Sequence, residues 1–204
     1  MNKIYLFDLD STVTKEEILP TIAKKINKGE EMRILTESVM IGEVPFEESF
    51  RARVKILQNI PVSQIAESVK DITLSEKIVT FIKENKENCY VVTSNLDVWI
   101  IELIKKIGLE NHLFCSNAVV KNDRIVGIKK ILAKEQPIES FKNKTIVAVG
   151  DGSNDYNLLK CADIGIGYGG VRKIAPCLFD VCDYAICDED KLYKTLNMIK
   201  ALND

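Results

Sequence analysis

Ile4-Tyr5-Leu6-Phe7-Asp8-Leu9-Asp10-Ser11-Thr12-Val13-Thr14 decides how the rest of the chain is read. Its first four residues are apolar, unbroken and rich in β-forming types. They predict a short strand buried on both faces, as in a parallel sheet. Asp8 then falls near the C-terminal end of that strand, where open α/β sheets bind ligands. An acid there is costly to bury unless a cation or hydrogen-bond donors meet it. A second acid, Asp10, stands two residues on.

Three companions follow in chain order. Thr93-Ser94 comes after the apolar run Cys89 to Val92, Lys129-Lys130 after a hairpin pattern, and Gly150-Asp151-Gly152-Ser153-Asn154-Asp155 after the run Thr145 to Val149. Between the first strand and Ile72 the period changes to helical. Ile18, Ile22 and Ile26, then Met32, Leu35 and Val39, then Phe46, Phe50, Val54 and Leu57, then Ile65, Val69 and Ile72 each mark an apolar face. Gly29, Gly42 to Pro45 and Pro61 punctuate them. That is more helix than one crossover needs, so residues 15–72 are expected to form an inserted helical cap. Residues 1–14 and 73–204 are expected to form the core.

The second half alternates. Helices are expected near Ser75–Asn88, Asp97–Ile107, Lys129–Glu135, Asn154–Cys161 and Glu189–Ala201. Strands are expected at Cys89–Val92, Leu113–Cys115, Thr145–Val149, Ile164–Ile166 and Tyr184–Ile186, with a β-hairpin about Asn122-Asp123. Strands alternating with helices imply right-handed crossovers and a mostly parallel sheet.

Composition limits the partners. A chain of 204 residues with 46% hydrophobic and 28% charged content has the balance of a soluble globular protein. A net charge of −2 offers no polybasic field for nucleic acid or an anionic membrane. The six cysteines contain no Cys-x-x-Cys pair and there is one histidine, so a zinc site is disfavoured and buried free thiols are expected. Early acids exclude a signal-peptide pattern, and no apolar run reaches ~18 residues. A reduced, cytoplasmic protein is expected. Gly165-Ile166-Gly167-Tyr168-Gly169-Gly170 matches a dinucleotide fingerprint in letters only, since no convincing strand–helix–strand unit follows it. Trp99 suits a core helix.

The polar residues suit phosphoryl transfer. A phosphate monoester repels nucleophiles, so a site must neutralise its oxygens, align the attack and protonate the leaving group. Asp8 can be the nucleophile, forming an aspartyl-phosphate. Asp10 can donate a proton and later activate water. Asp151 and Asp155 can complete an oxygen cage for Mg²⁺, with Asn154 orienting neighbours. Thr93 and Ser94, read as lying at a helix start, offer a hydroxyl and backbone N–H groups to an anion. Lys129, with Lys130 as the alternative, can balance phosphate charge, because Leu132 and Ala133 then pack its helix on the sheet.

Asp8-Leu9-Asp10-Ser11-Thr12-Val13, Thr93 and the Gly150–Asp155 run resemble motifs of the haloacid dehalogenase (HAD) superfamily, and the phosphoserine phosphatase branch within it. The likeness covers nearly the whole chain. It implies a Rossmann-like core with a four-helix cap, an aspartyl-phosphate route and Mg²⁺ held by Asp8, the Asp10 carbonyl and Asp151, with Asp155 in support. It implies that Thr93 and a lysine hold phosphate. The cap run Phe46-Glu47-Glu48-Ser49-Phe50-Arg51-Ala52-Arg53-Val54 also resembles the family's. The resemblance places Phe46 at the substrate, Glu17 on its ammonium and Arg53 on its carboxylate, and an arginine fork suits a carboxylate. The chain departs from the family at Thr93-Ser94-Asn95, where the family has Ser-Gly-Gly.

The expected ligand is a small phosphomonoester, O-phosphoserine first. Another phosphorylated metabolite, such as an amino alcohol or sugar phosphate, stands second, and a phosphomutase, phosphotransferase or receiver-like phospho-switch stands behind these. A receiver carries its aspartate on a later strand and has no cap. Monomer and homodimer remain equally open.

Overall fold

The computed structural model describes residues 3–202. Strand β1 (Lys3–Phe7) lies at the centre of a seven-stranded sheet. The others are β2 (Cys89–Leu96), β3 (Leu113–Lys121), β4 (Arg124–Lys130), β5 (Thr145–Gly150), β6 (Ile164–Tyr168) and β7 (Tyr184–Ile186), in spatial order β4-β3-β2-β1-β5-β6-β7. All neighbours are parallel except β3 and β4.

The side-chain period of two explains why β1 is apolar throughout. Tyr5 and Phe7 enter one core with Phe81, Trp99, Leu103, Leu192 and Leu196. Ile4 and Leu6 enter the opposite core with Leu158, Leu159 and Leu178. Helices α5 (Glu76–Glu84), α6 (Asp97–Ile107) and α8 (Glu189–Ala201) therefore cover one face, and α7 (Tyr156–Cys161) the other. Helix α6 ends at Gly108, whose φ of +86° suits glycine at the residue after a helix.

Between β1 and α5 stand α1 (Ile18–Lys24), α2 (Gly29–Met40), α3 (Phe46–Leu57) and α4 (Val62–Val69). Most positions the helical period marks are buried, Ile18, Ile22, Met32, Phe50, Leu57 and Ile65 almost fully, but Ile26 falls beyond the end of α1 and is exposed. The chain enters and leaves these helices through a paired neck. Lys15 N–H donates to Thr73 O at 2.8 Å, Ser75 N–H to Val13 O at 2.9 Å, and the Ser75 hydroxyl to Thr12 O at 2.9 Å.

A second attachment comes from the β3–β4 hairpin. Asn122 and Asp123 form its turn with φ of +50° and +59°, a conformation these two residue types tolerate. The Asp123 carboxylate accepts from Ser63 N–H at 3.0 Å and the Ser63 hydroxyl at 2.6 Å, while its carbonyl accepts Val62 N–H at 2.8 Å. Pro61 precedes α4 and supplies no side-chain cap. The hairpin tip thus satisfies the first N–H groups of a helix distant in sequence.

Two expected elements differ. The helix over Lys129–Glu135 does not form: β4 continues to Lys130, pairing with Asn117 across two register shifts in the antiparallel ladder. Strand β2 continues through Thr93-Ser94-Asn95 to Leu96, with a register irregularity against β3, so these residues end a strand and do not begin a helix. The cysteines are free as expected, but Cys161 and Cys187 are exposed. Gly165 and Gly167 lie within β6. Among the described residues, no helix is long and apolar enough to cross a membrane.

Candidate active site

Parallel pairing brings the C-terminal ends of β1, β2 and β5 to one edge. Asp8 N–H still bonds Val149 O at 2.9 Å, so the sheet fixes its backbone. The chain then winds tightly from Leu9 to Val13, with Ser11 in the left-handed region at φ 55°. Its N–H reaches the Thr14 hydroxyl at 3.2 Å, a local bond that supports this turn.

Asp8, Asp151 and Asp155 are buried, and each offers an oxygen within 4.8 Å of the others'. Asp155 is anchored by the loop that presents it: its Oδ2 accepts Gly152 N–H at 2.9 Å and Asp151 N–H at 3.2 Å. Gly150 is required here, since a Cβ would overlap the Asp155 carboxyl. Lys134 closes the group from below. Its ammonium, almost fully buried, donates to Asp8 Oδ1 and to Asp155 Oδ1, the latter at 2.6 Å.

A second cation enters from the loop after β6. Arg172 Nε bonds Asp151 Oδ2, and Nη1 bonds Glu17 Oε1 at 2.5 Å. The Ser11 hydroxyl also donates to Glu17, at 2.9 Å. Asp10 accepts Ile18 N–H on Oδ1 at 2.8 Å and Asn95 Nδ2 on Oδ2.

Burial, then the Asp155 charge, raises the Asp8 carboxyl to about 7, with Lys134 opposing. Burial, then Glu17 and Asp8, raises Asp10 to about 8. Burial raises Asp151 well above the ordinary carboxylate value although Arg172 opposes it. Burial by itself lowers Lys134, but Asp155 and Asp8 outweigh it and hold the ammonium charged.

The charge balance tests whether a metal fits. Asp8, Asp10, Glu17, Asp151 and Asp155 face Lys134, Arg53 and Arg172: five acids against three bases, an excess of two negative charges when all ionise. The donors of the triad are hard carboxylate oxygens. A small divalent cation matches both the chemistry and the deficit.

One cavity joins this edge to the helices above it. Asp8, Asp10, Glu17, Thr93, Ser94 and Asn154 line it with Phe46, Arg53 and Arg172. Arg53 is buried, its guanidinium 5.7 Å from the Phe46 ring centre and 5.8 Å from that of Phe50. Its Nη1 reaches only the Thr36 hydroxyl, at 3.4 Å, and it has no carboxylate ion pair among the described residues. Burial lowers its proton affinity, with Glu17 and Asp10 opposing.

A model of the haloacid dehalogenase-like hydrolases matches residues 5–160. The chain belongs to this family. It is 33% identical over 212 residues to the phosphoserine phosphatase of Methanocaldococcus jannaschii, an alignment covering 97% of this chain and 98% of that one. A solved phospho-aspartyl intermediate analogue of phosphoserine phosphatase has a TM-score of 0.81 and 28% identity, covering 95% of this chain and 98% of its own. A substrate-bound phosphoserine phosphatase complex gives 0.81 and 28%, covering 96% and 98%. The chain is thus a HAD-family hydrolase similar to phosphoserine phosphatases along its length.

Against this HAD frame, the lysine assignment is corrected. Lys129 and Lys130 are exposed at the end of β4, and neither reaches the acids; Lys134 does. β4 ends at Lys130, Leu132 is buried, and Lys134 is the next lysine along the chain. Arg172 was also missed. Nothing in Val171-Arg172-Lys173 separates it from its neighbour, although its place after β6 lies on the ligand edge.

Proposed function

We propose that the chain is a Mg²⁺-dependent phosphomonoester hydrolase whose leading substrate is O-phosphoserine, built from a core (residues 1–14 and 73–204) and a helical cap (residues 15–72). The observation that carries this reading is one cavity lined by Asp8, Asp10 and Asp151 together with Glu17 and Arg53, with the Lys134 ammonium bonded to Asp8.

A carboxylate oxygen of Asp8 attacks phosphorus as the bond to the serine oxygen breaks. Asp10, whose proton affinity is raised by burial and then by Glu17 and Asp8, gives its proton to that oxygen. Serine leaves an aspartyl-phosphate. Asp10, now charged, takes a proton from water as the water oxygen attacks phosphorus. Phosphate departs and Asp8 is restored. The Thr93 hydroxyl and the Lys134 ammonium hold phosphoryl oxygens, with Ser94 and Asn154 completing that wall. Asp8, the Asp10 carbonyl and Asp151 would hold Mg²⁺, with Asp155 in support; it would neutralise phosphoryl charge. Glu17 takes the substrate ammonium in place of Arg172, and Arg53 takes the carboxylate beside Phe46. A cytoplasmic location accords with this metabolite chemistry.

Phosphate release across phosphoserine, phosphothreonine, phosphoethanolamine and sugar phosphates tests the reading, with Mg²⁺ and with chelator. The expected result is Mg²⁺-dependent release with phosphoserine strongly preferred. Equal rates across the panel would leave a general HAD phosphatase, and no release from any ester would remove the hydrolase. Arg53→Ala should raise KM for phosphoserine about 10- to 100-fold while changing phosphoethanolamine little, because only the former has a carboxylate. Equal effects on both esters would deny Arg53 that role.

A further inference from the structure

We propose that Asn95 is a positioning residue that holds the Asp10 carboxyl in reach of the leaving oxygen. This rests on the hydrolase reading above. A carboxyl that gives and takes a proton must lie about 2.6–3.2 Å from the reacting oxygen. Asp10 has two rotatable side-chain bonds, so its aim depends on what holds its two oxygens.

The structure supplies one donor to each oxygen, from different elements. Ile18 N–H, at the start of α1, holds Oδ1 at 2.8 Å. Asn95 Nδ2, on the end of β2, holds Oδ2. Helix α1 belongs to the helices above the sheet, whereas β2 pairs directly with β1, the strand that carries Asp8. Asn95 therefore ties the acid to the same rigid sheet as the nucleophile.

Asn95 is itself held. It is buried, and its N–H donates to the Thr93 hydroxyl oxygen at 3.2 Å, which leaves that hydroxyl's proton for another acceptor. Asn95 lines the cavity with Thr93 and Ser94, at the register irregularity that ends β2. A glycine at this position would have no side chain to donate. A lysine or arginine would add charge beside Asp10, whereas an amide donates without adding any.

The test uses the leaving group. Serine departs as an alkoxide and needs the Asp10 proton, whereas p-nitrophenolate leaves without one. For the Mg²⁺-loaded enzyme, kcat/KM reports the steps through phosphoryl transfer to Asp8. Asn95→Ala and Asn95→Leu, the second of similar size and without a donor, should each lower kcat/KM for phosphoserine roughly 30- to 100-fold. The same variants should lower kcat/KM for p-nitrophenyl phosphate by no more than about 3-fold. Equal falls on the two esters, or no fall on either, with an active wild type, would overturn the role of Asn95 alone. A wild type that hydrolyses neither ester would overturn the hydrolase reading and this one with it.

Discussion

Asp8→Asn should remove turnover and leave the fold intact. The substitution preserves shape, so the β1 backbone and the cores on both faces of the sheet are unchanged. It removes the oxygen anion that we propose attacks phosphorus, on the residue that directly follows β1. The expected loss in kcat is about 10⁴-fold or more, since both the covalent step and one metal ligand go together. Stability in chelator should not fall. Burial and the Asp155 charge already disfavour ionised Asp8, so a neutral amide relieves crowding in the acid triad. Lys134 keeps Asp155 as its partner. Rapid acid quench of wild type with substrate should trap phosphorylated protein, and the variant should give none. Release within tenfold of wild type would remove Asp8 as the nucleophile, whatever the melting curve shows.

Lys134→Ala should damage both activity and stability. The ammonium stands between Asp8 and Asp155, and all three are nearly solvent-free. Its removal leaves two buried acids without their countercharge. Breaking a buried pair from one side costs about 3–5 kcal/mol, and the loss should be largest in chelator, where no divalent cation offsets it. In turnover the phosphoryl oxygens lose a fixed donor, which is worth about 10²- to 10³-fold. Lys129→Ala and Lys130→Ala are the controls. Both side chains lie on the exposed end of β4, so each should stay within about 0.5 kcal/mol of wild type and within about twofold in rate. Melting and phosphate release on the three variants decide the matter. A Lys129 or Lys130 effect as large as that of Lys134 would sink this assignment.

The parts of the site that sequence made legible are those carried by local pattern. Asp8 follows a four-residue apolar run, and its neighbours in the sheet follow similar runs, so the strand rule alone brings Asp8 and Asp151 to one edge. The four helices after β1 announced themselves by apolar spacing and by Gly and Pro breaks. What stayed hidden depended on tertiary choices. Leu132 and Ala133 fit a helix face or a loop packed on the sheet equally well, and only the antiparallel ladder of β4 decides between them. Thr93-Ser94-Asn95 looked like a cap because hydroxyl and amide residues favour that position; pairing with β3 extended the strand instead. Arg172 reaches its acids from a loop whose path no short-range pattern fixes.

The helices above the sheet are tied down at the paired neck, Val13–Lys15 with Thr73–Ser75, at the hairpin tip on α4, and at a third place, where the Ser153 hydroxyl donates to Val39 O in α2 at 2.9 Å. Ser153 stands in the loop between Asp151 and Asp155, so the acid edge and the helices above it share a direct bond. Val39 lines the cavity, whereas the neck and the hairpin tip do not. Lifting α2 from the acid loop therefore breaks a bond at the cavity itself, while the neck and the hairpin tip can stay joined.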